Sequence, residues 1–132
     1  MEKSPLRSPL SKVRGLGSAK HGTGHFIMQR LTAIALIPLS LWFVYSLLNV
    51  AVSPDSAKIE LWLSGEFNAC LLIVMLIAVF YHAKLGLQTI IEDYIHCPCM
   101  KITTLIANIF VNFAFAAISI LAVLKLHFTL LH

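Results

Sequence analysis

Three long apolar stretches alternate with short polar segments along the chain. The stretches cover residues 31–50, 67–91 and 102–124. Each is long enough to cross the hydrocarbon core of a bilayer as a helix, which takes about 20 apolar residues. Residues 53–66 are polar and turn-rich, and a shorter loop containing Pro98 precedes the third stretch. The pattern predicts an all-α membrane protein with three transmembrane helices.

Composition supports this assignment. Of the 132 residues, 58% are hydrophobic and 12% are charged, whereas a soluble domain carries about 25% charged residues. A chain this short cannot bury so much apolar surface in its own core, so lipid must solvate it. We therefore expect membrane lipid, and no nucleic acid, as a partner.

The three cysteines suggest no further chemistry. Cys70, Cys97 and Cys99 are an odd set, and a membrane helix bundle needs no disulfide framework. The two thiols of the Cys97–Pro98–Cys99 segment, with His96 beside them, do not complete a zinc site. We expect this segment to be an ordinary loop.

Charge predicts how the chain lies across the membrane. Residues 1–24 form a polar, basic tail, and residues 25–132 contain the helices. Six basic residues, Arg30 included, precede the first helix or stand at its start, whereas the loop after that helix contains only Lys58. The positive-inside rule predicts the N-terminus inside and the C-terminus outside. The composition of the tail favours a flexible surface segment, with a mitochondrial transit peptide as the alternative.

His82 lies within the second apolar stretch, where an ionisable side chain is costly and is a candidate for function. At about 100° per residue, Gly86 and Asp93 lie on the same helix face as His82. An imidazole there can ligate haem iron, relay protons or hydrogen-bond to another helix. Gly86 can admit a flat macrocycle or allow close helix packing. Spacing alone leaves these alternatives open.

Polar residues also recur in and after the third stretch. Thr104, Asn108 and Asn112 follow one another at intervals of four residues. Small and amide side chains at this spacing are typical of a contact between membrane helices, so we interpret them as packing residues. His127 and His132 lie beyond the stretch, and we expect both to be solvated.

Two motifs resemble one known family. "HAKLGLQTIIEDY", residues 82–94, has the pattern H-x3-G-x6-D-Y. It resembles the second helix of the small cytochrome b membrane-anchor subunit of succinate dehydrogenase, the D-type anchor of complex II. "GTGHFIMQRLTAIAL", residues 22–36, is similar to the start of that family's first helix, where an arginine is followed by Thr-Ala-Ile. With the three-helix plan and the basic tail, the resemblance extends over about the whole chain.

The resemblance implies roles for individual residues. His82 would be one axial ligand of a haem b shared with a second anchor subunit, and Gly86 would make room for the ring. Tyr94 would hydrogen-bond a ubiquinone carbonyl, with Asp93 beside it. Arg30 matches a basic residue near the quinone site.

The resemblance also implies a function for the chain. It would be an anchor subunit, not catalytic on its own, that passes electrons from succinate to ubiquinone. Its partners would be a flavoprotein subunit, an iron–sulfur subunit and a second cytochrome b anchor. We expect a bacterial inner membrane, with the mitochondrial inner membrane as the alternative. Two other functions stay open: the anchor of a quinol:fumarate reductase, and a cofactor-free accessory protein in which His82 only packs.

Overall fold

The computed structural model describes residues 22–52 and 56–130, which form four helices. These are α1 (Gly22–Val52), α2 (Ser56–Ser64), α3 (Glu66–Tyr94) and α4 (Pro98–Leu130). Helices α1, α3 and α4 are each long and apolar enough to cross a membrane. The predicted all-α membrane fold with three spanning helices is confirmed.

Each spanning helix is longer than the apolar stretch that predicted it. Helix α1 begins at Gly22, within the predicted tail, and continues unbroken through Pro38. The rest of that tail, residues 1–21, lies outside the described residues. Hydropathy marks only the part of a helix that lies in hydrocarbon, whereas the helix itself continues until its backbone bonding ends.

The connection between α1 and α3 differs from the prediction. We expected residues 53–66 to be a turn-rich link, but Ser56–Ser64 forms the helix α2. The Ser-Pro-Asp residues at 53–55 precede this helix, and such residues are typical of a helix start. Trp62 of α2 stacks on Trp42 of α1, with ring centroids 6.0 Å apart. Packing against another helix stabilises a segment that would be too short to remain helical alone.

The second connection is shorter than the sequence predicts. We expected the loop to contain Pro98 and the whole Cys97–Pro98–Cys99 segment, but of these three residues only Cys97 lies outside the helices. Only residues 95–97 separate α3 from α4, and Pro98 is the first residue of α4. Proline is favoured at that position because its missing N–H has no helical partner to lose. The Lys101 ammonium donates a hydrogen bond of 3.0 Å to the carbonyl of Glu92. This bond joins the start of α4 to the last turn of α3.

Buried polar side chains form hydrogen bonds between the helices, and many large apolar side chains face outward. Asn108 of α4 donates a hydrogen bond of 2.9 Å to the backbone carbonyl of Lys84 in α3. Asn112 donates one of 2.7 Å to the side-chain oxygen of Asn108. Both asparagines are buried, and the predicted contact between helices is confirmed for Asn108, whereas the hydrogen bonds of Asn112 stay within α4. Thr104 is half-buried and donates to a carbonyl of its own helix. This arrangement suits a protein solvated by lipid, where polar groups must find partners inside.

His127 is a correction to the sequence analysis. We expected it to be solvated, but only 9% of its surface is exposed, and its Nδ1 lies 3.1 Å from the carbonyl oxygen of Leu63. The prediction was wrong because α4 extends past residue 124 and α2 folds back against it. His132 lies outside the described residues.

Candidate functional site

His82 lies at the contact between α1 and α3. Its Nδ1 is 2.9 Å from the hydroxyl oxygen of Thr32, and the ring is half-buried. Among the described residues the imidazole has no other hydrogen-bond partner, so none of them engages Nε2. A hydrogen bond to another helix, one of the three roles that the sequence left open for His82, is therefore present, and it uses only one of the two ring nitrogens.

Gly86, one turn further along α3, also faces α1. A Cβ built on Gly86 would have the side-chain amide of Gln29 as its nearest neighbour, with 3.9 Å between Cβ and Nε2. That is an ordinary van der Waals distance, so alanine would fit here. Packing among the described residues therefore does not explain the glycine.

Asp93 and Tyr94 lie at the end of α3. The helix ends at Tyr94, and its last turn is closed by a bond of 3.1 Å from the Ile95 N–H to the Ile91 carbonyl. Both side chains are exposed, and Tyr94 exposes 78% of its surface. The phenol therefore remains free to contact a molecule outside the chain.

Arg30 lies at the same end of the helix bundle as Tyr94, but not beside it. Its neighbour in sequence, Gln29, faces Gly86, and Tyr94 comes eight positions after Gly86, about 12 Å further along the helix. The guanidinium lies 4.4 Å from the ring centroid of Phe26, one turn nearer the start of α1. Because α1 and α3 run antiparallel, the start of α1 lies near the end of α3. The Arg30 guanidinium, which lies toward the start of α1, therefore places its positive charge toward the end where α3 terminates.

Sequence reasoning missed three residues of this region. Thr32 contacts His82, and Gln29 faces the space at Gly86. His25 precedes both on the same face of α1. The Nε2 atom of His25 is buried and has no hydrogen-bond partner among the described residues. The available signal was the spacing i, i+4, i+7 of polar side chains at the start of an apolar helix.

A concavity lies on the side of α3 that faces α4, apart from the space beside Gly86. It has a volume of about 660 Å³, lies between α3 and α4, and is lined mainly by apolar side chains. Lys84 and Asn112 are among the few polar residues that line it. The Lys84 ammonium is 5.9 Å from the ring centroid of Tyr81 in the same helix.

Comparison with known proteins identifies the family to which this chain belongs. A family model described as "Succinate dehydrogenase/Fumarate reductase transmembrane subunit" matches residues 4–124. The match includes α1, α2, α3 and most of α4. The chain belongs to this family.

Individual relatives of this anchor subunit agree. The succinate dehydrogenase hydrophobic membrane anchor subunit of Rickettsia bellii is 40% identical over 103 residues, which are 77% of this chain and 81% of that protein. The anchor of the same name from Rickettsia conorii is 36% identical over 102 residues, 76% of this chain and 80% of that protein. The succinate dehydrogenase membrane anchor subunit of Reclinomonas americana is 25% identical over 88 residues, 65% and 73% of the two chains. No solved structure matches the chain.

The comparisons confirm the resemblance found in the sequence. The chain is a membrane-anchor subunit of succinate dehydrogenase, of the D type. Both motifs lie within the matched region, residues 22–36 in α1 and residues 82–94 in α3.

Proposed function

We propose that this anchor subunit supplies His82 as one axial ligand of a haem b and Tyr94 as a hydrogen-bond donor to ubiquinone. A second cytochrome b anchor subunit would supply the other ligand of the iron. A flavoprotein subunit oxidises succinate, and an iron–sulfur subunit passes the electrons to this membrane site. The anchor is therefore part of an oxidoreductase without carrying out the dicarboxylate chemistry itself.

One observation carries the haem assignment: His82 is held through Nδ1, and its Nε2 is not engaged within the described chain. Haem iron is commonly ligated by a neutral imidazole nitrogen, and the other nitrogen of such a ligand usually forms a hydrogen bond. The room beside Gly86 suits a flat ring lying against the helix backbone. The residues present therefore fit the group, which would supply a one-electron carrier inside the membrane.

The quinone assignment depends on the exposed end of α3. A quinone carbonyl needs a hydrogen-bond donor, and a phenol provides one without placing a charge at the apolar mouth of the bundle. Asp93 is exposed beside Tyr94 and can exchange protons with water. Arg30 adds positive potential at the same end, which favours reduced, negatively charged forms of the quinone.

Succinate oxidation is favoured over fumarate reduction as the direction of electron flow. The family model covers both kinds of enzyme, but the relatives with 40% and 36% identity are both named for succinate dehydrogenase. These relatives come from Rickettsia, so we assign the chain to a bacterial inner membrane. By charge, the ends of α3 and α1 that carry Tyr94 and Arg30 face the cytoplasm.

The test is the absorption spectrum of the purified complex with His82→Ala. We expect the low-spin haem b signal to be lost or converted to a high-spin form, because alanine cannot ligate iron. The matched control is His96→Ala, in the exposed loop after α3, which should leave the spectrum unchanged. An unchanged low-spin spectrum in His82→Ala would reject the ligand assignment. Absence of haem from the wild-type complex would favour the cofactor-free alternative.

A further inference from the structure

The hydroxyl of Thr32 contacts three polar atoms. Its oxygen is 2.9 Å from the carbonyl oxygen of Met28, 3.0 Å from that of Gln29 and 2.9 Å from Nδ1 of His82. The first two are contacts within α1, and only the third crosses to α3. A hydroxyl has a single hydrogen to donate, so the three contacts restrict where that hydrogen can be.

Counting protons selects one arrangement. Carbonyl oxygens only accept, so the Thr32 hydrogen must point to Met28 or Gln29 for either contact to be a hydrogen bond. The oxygen of Thr32 can then accept a hydrogen from Nδ1 of His82, and the contact to the ring is satisfied. If the hydroxyl instead donated to Nδ1, two oxygen–oxygen contacts of about 3 Å would lack any proton. The first arrangement is therefore favoured.

This arrangement determines which nitrogen of His82 is basic. A neutral imidazole with its hydrogen on Nδ1 has its lone pair on Nε2. Nε2 is the nitrogen that no group of the described chain engages. The hydrogen bond also restricts rotation of the ring about the Cβ–Cγ bond of His82.

We propose that Thr32 is a positioning residue that holds His82 in the Nδ1–H tautomer and aims Nε2 at the haem iron, which rests on the proposed role of His82 as ligand. Donation from Nδ1–H raises the basicity of the ligating nitrogen and so stabilises the ferric iron. Thr32 therefore lowers the reduction potential of the haem and strengthens its retention. The motif at the start of α1, with Thr32 two residues after Arg30, thereby acquires a physical role.

The experiment compares Thr32→Val with Thr32→Ser in the purified, assembled complex. Valine has nearly the shape of threonine but no hydroxyl, whereas serine keeps the hydroxyl and loses only a methyl group. We expect Thr32→Val to raise the haem midpoint potential, alter the low-spin electron paramagnetic resonance signal and weaken haem retention by about 10- to 100-fold. Thr32→Ser should keep wild-type values for all three quantities.

Thr103→Val is the matched control. Thr103 also donates a bond of 2.9 Å to a carbonyl four residues back, the oxygen of Cys99, but it is exposed and contacts no histidine. Its substitution should leave the potential and the resonance signal unchanged. A shift of equal size in Thr103→Val would attribute the effect to the lost helix contact and overturn the proposal.

The outcomes separate this inference from the ligand assignment. If His82→Ala abolishes the low-spin signal while Thr32→Val keeps the wild-type potential and signal, the positioning role alone is rejected. If His82→Ala leaves the signal unchanged, both proposals fail. If Thr32→Val does not assemble, Thr32→Ala replaces it with the same expected shifts. Failure of both to assemble, with normal assembly of Thr32→Ser, would show that the hydroxyl serves helix packing and would overturn the positioning role.

Discussion

Gly86 of α3 and Gln29 of α1 face each other across a gap that could hold a methyl group. A Cβ on Gly86 would lie 3.9 Å from the Gln29 amide nitrogen, and no other atom that could hinder it is nearer. Glycine in a helix interior is less favourable than alanine by about 0.5–1 kcal/mol. The described residues do not require the glycine, which supports the proposal that a haem lies against α3 at this point.

Gly86→Ala tests this explanation. We expect the substitution to leave the helices intact, because the added methyl meets no clash within the chain, and to reduce the haem content of the purified complex. The measurement is haem per complex, together with the reduced-minus-oxidised absorption spectrum. Gly24→Ala is the control, since a Cβ there would meet nothing within 4 Å. Wild-type haem content and spectrum in Gly86→Ala would show that nothing approaches this glycine closely.

The three spanning helices were predictable because lipid leaves the backbone few options. A chain segment in hydrocarbon must satisfy its own N–H and C=O groups, so about 20 apolar residues imply a helix. The ends of the helices were not predictable from hydropathy. Helix α2 was missed because its stability depends on partners distant in sequence, the stacking of Trp62 on Trp42 and the contact of Leu63 with His127.

The candidate site was predictable only on the α3 side. His82 and Gly86 were identifiable because an ionisable residue and a glycine one turn apart are conspicuous in an apolar helix. Thr32 and Gln29 could be placed in the site only once the register between α1 and α3 was known. That register depends on contacts between residues distant in sequence, so a local pattern does not predict it. A threonine in a membrane helix can equally well bond its own backbone, as Thr89 does with Leu85.

His127, the buried histidine at the opposite end of the bundle, is expected to contribute to the stability of the complex. His127→Leu removes the hydrogen bond to the Leu63 carbonyl, which connects α4 to α2. The loss should destabilise the purified complex by about 0.5–1.5 kcal/mol. Thermal unfolding in detergent measures it, and the haem spectrum should not change. The control is Phe115→Leu, at an exposed position of the same helix, with no effect on the unfolding temperature. Equal or higher stability of His127→Leu would mean that the buried bond contributes nothing.

The charge distribution makes a prediction about orientation. Cys97 and Cys99 are exposed, free thiols in the loop and first turn between α3 and α4, which we expect to face the cytoplasm. An impermeant thiol reagent added outside intact cells should therefore not label them. The control is Lys58→Cys in a Cys70→Ser, Cys97→Ser, Cys99→Ser background, because α2 is expected to face outward and should be labelled. The test on Cys97 and Cys99 likewise uses Cys70→Ser, since Cys70 is exposed near the outward end of α3. Labelling of Cys97 or Cys99 from outside would invert the orientation.

The last prediction concerns Tyr94, whose phenol is the donor that we assign to the quinone. Tyr94→Phe removes one hydroxyl from a side chain that is 78% exposed, so the stability of the helices should hardly change. Loss of one hydrogen bond costs about 0.5–1.5 kcal/mol, which corresponds to a roughly two- to tenfold fall in turnover at limiting quinone. Succinate oxidation with an artificial acceptor that takes electrons from the soluble subunits should continue at the wild-type rate.

Two comparisons make the Tyr94 experiment decisive. Tyr45→Phe is the control, because Tyr45 is a comparably exposed phenol (68%) far along α1 from Arg30, and its loss should not affect quinone reduction. A full quinone titration then separates weaker binding from a slower reaction at saturation. Tyrosine at the end of a membrane helix often serves only as an anchor in the interface. If wild type and Tyr94→Phe have the same turnover across the titration, Tyr94 is such an anchor, because a phenol that donates to the quinone cannot be removed without loss.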